Sequence, residues 1–316
     1  MLWHSGAMAR VLIISSLVAD GAVGGGLSQF VLQRLGHEVV LLPTILLSNS
    51  PDQAIKAGES VAVELLGRMT AAYEAAGRLA FDAVFIAYLP SPAHVAFAVQ
   101  TVGSLRASNP QLTVCVDPVM GDEPEGLYIA QTSACAIRDD LVPLADVLTP
   151  NRFELGWLTA MNRATMDRAT IKQAAAKLAV ATVLVTSAVA DKGTITSLLI
   201  EKAGSECIET ARLAQAPHGT GDLTAALFLA ARLNGMASRD AFARTIASVA
   251  SVVALSQQHA ALQLVATQQY WANERGDNDG GQDERGDNDG GQDNDRKCNG
   301  DGGQDDGRSD DDEGKG

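Results

Sequence analysis

No run of about 18 uninterrupted apolar residues occurs in this 316-residue chain, so no segment of it reads as a membrane span. Positive charge is also short. Lys and Arg number 24 against 38 Asp and Glu, and no basic stripe stands out, which argues against a nucleic-acid partner. The four cysteines, Cys115, Cys135, Cys207 and Cys298, show neither CxxC spacing nor a paired pattern. They read as reduced thiols, and the expected location is cytoplasmic. The start MLWHSGAMAR lacks the apolar h-region of a signal peptide, and Met8 is the expected true start. The glycines after the first apolar run, in DGAVGGG, never spell GxGxxG, which removes the dehydrogenase reading.

Apolar side chains all but disappear after Asn273, and ERGDNDGGQD occurs twice in tandem at 274–283 and 284–293. Residues 274–316 hold 16 Asp and Glu against 6 Lys and Arg, so they carry ten of the fourteen net negative charges. A segment of this kind cannot bury enough apolar surface to offset its ordering entropy, and residues 273–316 are expected to be an acidic disordered tail. Its Arg-Gly-Asp triplets at Arg275 and Arg285 match an integrin-binding motif for which a cytosolic protein has no use. Asp277-Asn278-Asp279-Gly280 resembles a calcium loop, but Gly281 stands at the fifth position and no glutamate closes it. The remainder divides into an N-terminal extension, 1–9, and a body, 10–272, long enough for one domain with a sizeable core.

The body alternates two periodicities. Apolar runs at 10–16, 38–45, 81–89, 112–120, 182–188 and 197–201 are strand candidates, and Val147–Thr149 is a short one. Between them lie helical stretches at 27–35, 57–78, 92–107, 167–179, 222–233 and 238–256. Strands that are apolar throughout, alternating with helices, predict a single α/β domain with a mostly parallel central sheet covered on both faces. Ligands of such sheets sit beyond the carboxyl ends of the strands, where Ser15-Ser16, Tyr88, Asp117, Asn151 to Glu154 and Thr186-Ser187 fall.

The most informative stretch is PHGTGDLTAALFLAARL, 217–233. A glycine turn that runs into a helix offers unpaired amides and the positive end of the helix dipole, a natural phosphate site. An aspartate placed there would repel phosphate unless it serves to take a proton from an attacking hydroxyl, so Asp222 points to phosphotransfer. As a bare pattern the same residues also fit a simple N-cap.

Taken in order, the motifs resemble those of ribokinase-fold small-molecule kinases, and most closely the pyridoxal kinases, over roughly residues 10–270. They are Ser16, Gly21 and Gly24 as SxxxxGxxG, LQRLGHEVVLLPT at 32–44, Ser48-Asn49, Tyr88, VDPVMGD at 116–122, PLADVLTPNRFE at 143–154, LVTSA at 184–188 and HGTGDLTAALFLA at 218–230. The resemblance implies a ribokinase-like fold and ATP-dependent phosphorylation of the 5′-hydroxymethyl group of pyridoxal, pyridoxine or pyridoxamine. By position it makes Asp222 the base and the amides of Gly219, Thr220 and Gly221 the anion hole. Asp117 and Glu154 would organise Mg²⁺, largely through water, with a monovalent cation such as K⁺ also admitted. Asp117, Asn151, Glu154, Thr186 and Ser187 would serve the ATP site, and Ser16, Tyr88 and Ser50 the vitamin. A homodimer is implied too.

Two departures stand out. Family members read Gly-Asn where this chain has Gly24-Gly25, and Ser-Asn-His-Thr where it has Ser48-Asn49-Ser50-Pro51. Hydroxymethylpyrimidine phosphorylation, and a non-catalytic B6-binding role, are the alternatives these departures leave open.

Overall fold

The structure, a computed structural model, describes residues 8–50, 53–161, 166–191, 193–213 and 216–272. The expected tail, the extension up to residue 7 and Pro51 lie outside them. Nine strands form one sheet. In chain order they are β1 (Arg10–Asp20), β2 (Glu38–Asn49), β3 (Gly58–Ser60), β4 (Ala83–Ile86), β5 (Thr113–Val116), β8 (Val147–Leu148), β9 (Thr182–Asp191), β10 (Thr194–Glu201) and β11 (Gly204–Ala211). A small hairpin, β6 (Gly121–Asp122) and β7 (Gly126–Leu127), stands apart. Spatial order is β11-β10-β9-β8-β5-β4-β1-β2-β3. The six central strands from β9 to β2 pair in parallel, whereas β3 at one edge and β10-β11 at the other are antiparallel.

The strands read as apolar throughout because both faces are buried. Leu12 and Ile14 of β1, with Val84, Ile86, Val114 and Val116, pack beneath α3 (Pro92–Ser108), α5 (Arg152–Thr159) and α6 (Arg168–Lys177). Val11, Ile13, Ala83, Phe85 and Cys115 face α1 (Gly24–Arg34), α7 (Thr220–Leu233) and α8 (Ser238–Ser256). Side chains two apart therefore share a layer, as a pleated strand requires. Helix α7 is buried at every position from Leu223 to Ala230, the pattern of a helix enclosed on all sides. Truncating its Phe228, fully buried, to Ala is expected to cost about 3–5 kcal/mol. That core anchors the helix whose first turn carries Asp222.

One expectation is corrected, and two further elements are not foreseen in the sequence. The helix expected at 57–78 is shorter, α2 at Val63–Ala75, and its first residues form β3 instead, where Gly58 lies against the Leu46 carbonyl on β2. Strand β11, GSECIETA, escapes the sequence reading because it is a half-exposed edge rich in polar residues. Helix α5, only 8 residues long, is not among the expected helices, although the spacing of Asn151 and Glu154 fits the capping box that opens it. No helix among the described residues is long and apolar enough to cross a membrane.

Candidate active site

The carboxyl ends of the parallel strands line up the expected residues in spatial order. Thr186 and Ser187 lie on β9, Thr149 to Asn151 follow β8, Asp117 follows β5, Tyr88 follows β4, and Ser16 lies on β1. Backbone bonds extend the ladder past the strand ends. The Thr186 amide donates to Pro150 O at 3.0 Å, Thr149 to Val116 O at 3.1 Å, Asp117 to Ile86 O at 2.8 Å and Ala87 to Ile14 O at 3.0 Å. Asp117, Thr149 and Thr186 are thus held in line with the sheet.

Helix α7 delivers the glycine turn to the middle of this row. Its N-cap is Gly219, left-handed at φ 97°, which makes Thr220, Gly221 and Asp222 the first three helical residues. Asp222 is accordingly not the N-cap, and its carboxylate is spared the capping role. First-turn amides have no intrahelical acceptor, so this end presents donors and positive dipole together. A Cβ on Gly219 would stand 2.2 Å from Ala22 O, so the turn is packed directly against the loop that enters α1. A Cβ on Gly221 would lie 3.9 Å from Asp117 Oδ2, which places the β5 carboxylate opposite the turn.

The electrostatics of the site are dominated by negative charge. Asp117 and Glu154 are 4% and 3% exposed. Burial first, then the Asp222 charge, raises the Asp117 pKa, with the nearby Thr149 hydroxyl opposing. Burial and the neighbouring Asp117 push Glu154 up, against the Asn151 and Met120 amides. Glu154 Oε2 accepts from Asn151 N at 2.9 Å and Oε1 from Met120 N at 3.1 Å, so this carboxylate also closes the capping box of α5. Asn151 is equally committed: Oδ1 accepts from Glu154 N, and Nδ2 donates to Gly121 O, holding the β6–β7 hairpin. One Nδ2 hydrogen remains for a further acceptor. Burial raises Asp222 to about 6, while the Gly24 amide favours its charged form.

Ser187 shows a different kind of cost. It is a non-glycine residue at φ 48°, where the β9–β10 register slips between Thr196 and Leu198. Positive φ and a bulge at a strand end re-aim a side chain at the expense of local stability.

On the other side, Ser16 and Asp222 share a neighbour. A Cβ on Gly24 would fall 2.2 Å from Ser16 Oγ, and the Gly24 amide is the one that faces Asp222. Ser50 borders the same loop, its amide 4.0 Å from a Cβ on Gly21, and its hydroxyl is buried with no hydrogen-bond partner among the described residues. The first departure has a packing counterpart: a Cβ on Gly25 would stand 2.7 Å from Ser16 O and 2.8 Å from Leu41 Cδ1. The backbone has closed over the space an asparagine would occupy.

Sequence reasoning missed two contributors. Burial raises Asp122 on the hairpin, with Glu125 and Glu123 adding to the rise and His218 among the groups opposing it. Tyr128 is about half exposed as a residue, and its phenol is raised by partial desolvation and by Glu154, Asp117, Asp122 and Asp222 together. Asp122 lay within the VDPVMGD motif and could have been singled out there. Nothing in the sequence around Tyr128 signals its nearness to four carboxylates.

Residues 81–264 match the family described as phosphomethylpyrimidine kinase. A pyridoxal kinase of Leifsonia xyli is 34% identical over 273 residues, spanning 84% of this chain and 96% of the relative. The pyridoxal kinase of Leishmania donovani, solved with ADP and pyridoxamine, superposes with a TM-score of 0.74 at 25% identity, covering 79% of this chain and 88% of that one. The pyridoxal kinase of Entamoeba histolytica shares the fold at a TM-score of 0.77 and 20% identity, covering 84% and 95%. With the strand-end row and the glycine turn in place, this chain belongs to the phosphomethylpyrimidine kinase family and, within it, stands with the pyridoxal kinases.

Proposed function

We propose that this protein transfers the γ-phosphoryl group of ATP to the 5′-hydroxymethyl group of a B6 vitamer, with pyridoxal as the preferred acceptor. The observation that carries the reading is Asp222 in the first turn of α7, behind a left-handed glycine cap and beside the buried Asp117. The acceptor hydroxyl loses its proton to Asp222 as its oxygen bonds the γ-phosphorus. The bond to the β,γ-bridging oxygen breaks and ADP leaves, while the amides of Gly219, Thr220 and Gly221 stabilise charge on the transferring group.

Asp117 and Glu154 fit a hard divalent cation. They are two oxygen donors whose burial and mutual repulsion make an added positive charge favourable, and Asp122 stands nearby. Among the described residues no three such groups could cage an ion by themselves. Mg²⁺ held by Asp117 and Glu154 would have its coordination completed by water and would neutralise phosphate charge. A monovalent cation such as K⁺ would find oxygen donors at the same end of β5 and β8. Asn151, Thr186 and Ser187 serve the triphosphate. Ser16, Tyr88 and Ser50 serve the vitamer, a role supported for Ser50 by its orphaned hydroxyl. We expect a homodimer, as the family resemblance implies.

The test is ATP consumption with pyridoxal, pyridoxine, pyridoxamine and hydroxymethylpyrimidine offered separately. The expected result is the highest kcat/KM for pyridoxal. A preference for hydroxymethylpyrimidine, or binding of a vitamer without turnover, would overturn the proposal.

A further inference from the structure

His94 has no place in the phosphoryl chemistry, yet it is 5% exposed and both ring nitrogens are engaged. Nδ1 lies 2.7 Å from Ser91 Oγ. Ser91 occupies the N-cap position of α3 but makes no side-chain cap; its hydroxyl is turned to the histidine instead. A serine there normally accepts a first-turn amide and stabilises its helix, so this one gives up a local gain to hold His94. On the other side of the ring, Nε2 is 2.9 Å from Val61 O, and because a carbonyl only accepts, Nε2 carries the hydrogen.

The chain of bonds continues into the vitamer side. The Val61 amide donates to Thr44 O at 3.0 Å, and Thr44 Oγ1 donates to Tyr88 O at 2.7 Å. Thr44 is fully buried. The β1–β2 register passes from Ser15↔Pro43 to Leu17↔Leu46, so Thr44 and Ile45 together oppose Ser16. That extra residue on β2 accompanies a hydroxyl that reaches past Ser16 of β1 to the segment following β4, and bulges commonly re-aim side chains in this way. Ser91, His94, Val61 and Thr44 thus link the start of α3, the turn before α2 and β2 to the main chain of Tyr88.

We infer that His94 is a positioning residue for the acceptor side: through Val61 and Thr44 it fixes the Tyr88 backbone, and so the seat of the vitamer ring. The inference rests on the assignment of Tyr88 to the vitamer made under the proposed function. It gives His94 and Thr44 a specific signature, because the network touches neither the glycine turn nor the carboxylates.

Steady-state kinetics with pyridoxal and with ATP, each varied separately, test it. His94→Leu should raise KM for pyridoxal about five- to tenfold, the worth of one well-made hydrogen bond, and leave kcat and KM for ATP within about twofold. His94→Gln, whose amide can still donate to Val61 O, should recover most of the loss. Thr44→Val removes only the hydroxyl bond to Tyr88 O and should give the same selective rise, which keeps the test open if His94→Leu does not fold. A fall in Tm with KM for pyridoxal unchanged, or an equal rise in both KM values, would make His94 an ordinary packing residue and overturn the inference. Tyr88→Ala separates the two levels. If it leaves KM for pyridoxal unchanged, the assignment of Tyr88 itself fails. If it raises that KM while the His94 and Thr44 variants do not, only the positioning role fails.

Discussion

The β5–β8–β9 side of the site is built from charge, and the β4–β1–β2 side from hydroxyls and a ring. On the first side, Asp117 and Glu154 are buried and mutually repelling, and Glu154 and Asn151 are pinned by backbone bonds. On the second, Ser16, Ser50 and Tyr88 carry no charge in their ordinary states, and their surroundings are set by packing at Gly24, Gly25 and Gly21. Asp222 sits at the junction, sensed by Asp117 on one side and reached by the Gly24 amide on the other. The contrast teaches where sequence can drift. On the proposed function, carboxylates that would meet a metal–triphosphate cannot be exchanged without leaving charge unpaired, whereas a seat for the vitamer ring could be rebuilt from different small residues. The departures at Gly25 and Ser50 fall on the second side, and Pro51 lies outside the described residues.

The comparison can be broken most sharply at the junction. Asp222→Asn should lower kcat by about 10²–10⁴-fold, because an amide cannot take the hydroxyl proton. Wild-type turnover should fall as pH drops through about 6, where Asp222 becomes protonated, and the residual turnover of the variant should lack that limb. A kcat within about tenfold of wild type would remove Asp222 as the base.

Gly219→Ala is expected to come next. It forces a Cβ against Ala22 O and a left-handed φ on alanine, at a cost of about 1–3 kcal/mol, so both Tm and kcat should fall. An alanine variant with wild-type kcat would show that the turn does not hold the transferring phosphoryl.

Asp117→Asn separates stability from function. Carboxylates whose folded pKa values are raised hold more protons than the unfolded chain between the two values, so the apo protein should lose stability as pH rises through that window. Relieving the repulsion should therefore raise the apo Tm, by roughly 2–4 °C for each ~1 kcal/mol released, while turnover falls. Thermal scans of wild type and variant at pH 5 and pH 8 check both signs. An apo Tm that climbs with pH would contradict the charge-crowded picture.

Smaller effects belong to the acceptor side. Ser50→His with Pro51→Thr should lower KM for pyridoxal and change kcat little, since such contacts are shared by ground and transition states. Unchanged or higher KM would mean that the segment is seated differently here. Smallest of all, deletion of 274–316 should leave Tm and kcat unchanged, because the segment has almost no apolar side chains to contribute to a core. A drop of several degrees would show that it docks on the body.

Much of this organisation is legible in the amino-acid sequence, and the part that is not has a physical reason. Central strands such as RVLIISS and FDAVFIAYL announce themselves because burial on both faces demands unbroken apolar runs. The edge strands β3 and β11 do not, since exposure at the sheet margin admits Glu59, Glu206 and Glu209. The glycine turn is readable because positive φ and close packing leave few residue choices. Convergence of Asp122 and Tyr128 on the buried carboxylates, and the bonds from Ser91 through His94 to Thr44, depend on elements far apart in the chain meeting in space. No local pattern encodes them.

The central claim is that Asp222 belongs to the chemistry at the junction and to neither binding half. Calorimetric titration of the Asp222→Asn protein with Mg²⁺·ATP, and separately with pyridoxal, tests it most directly. The account predicts wild-type affinity for pyridoxal, and ATP affinity equal to wild type or tighter, since a negative charge near the phosphates is gone. Weakening of either ligand by more than about tenfold, or ~1.4 kcal/mol, would place Asp222 among the binding residues and contradict the account.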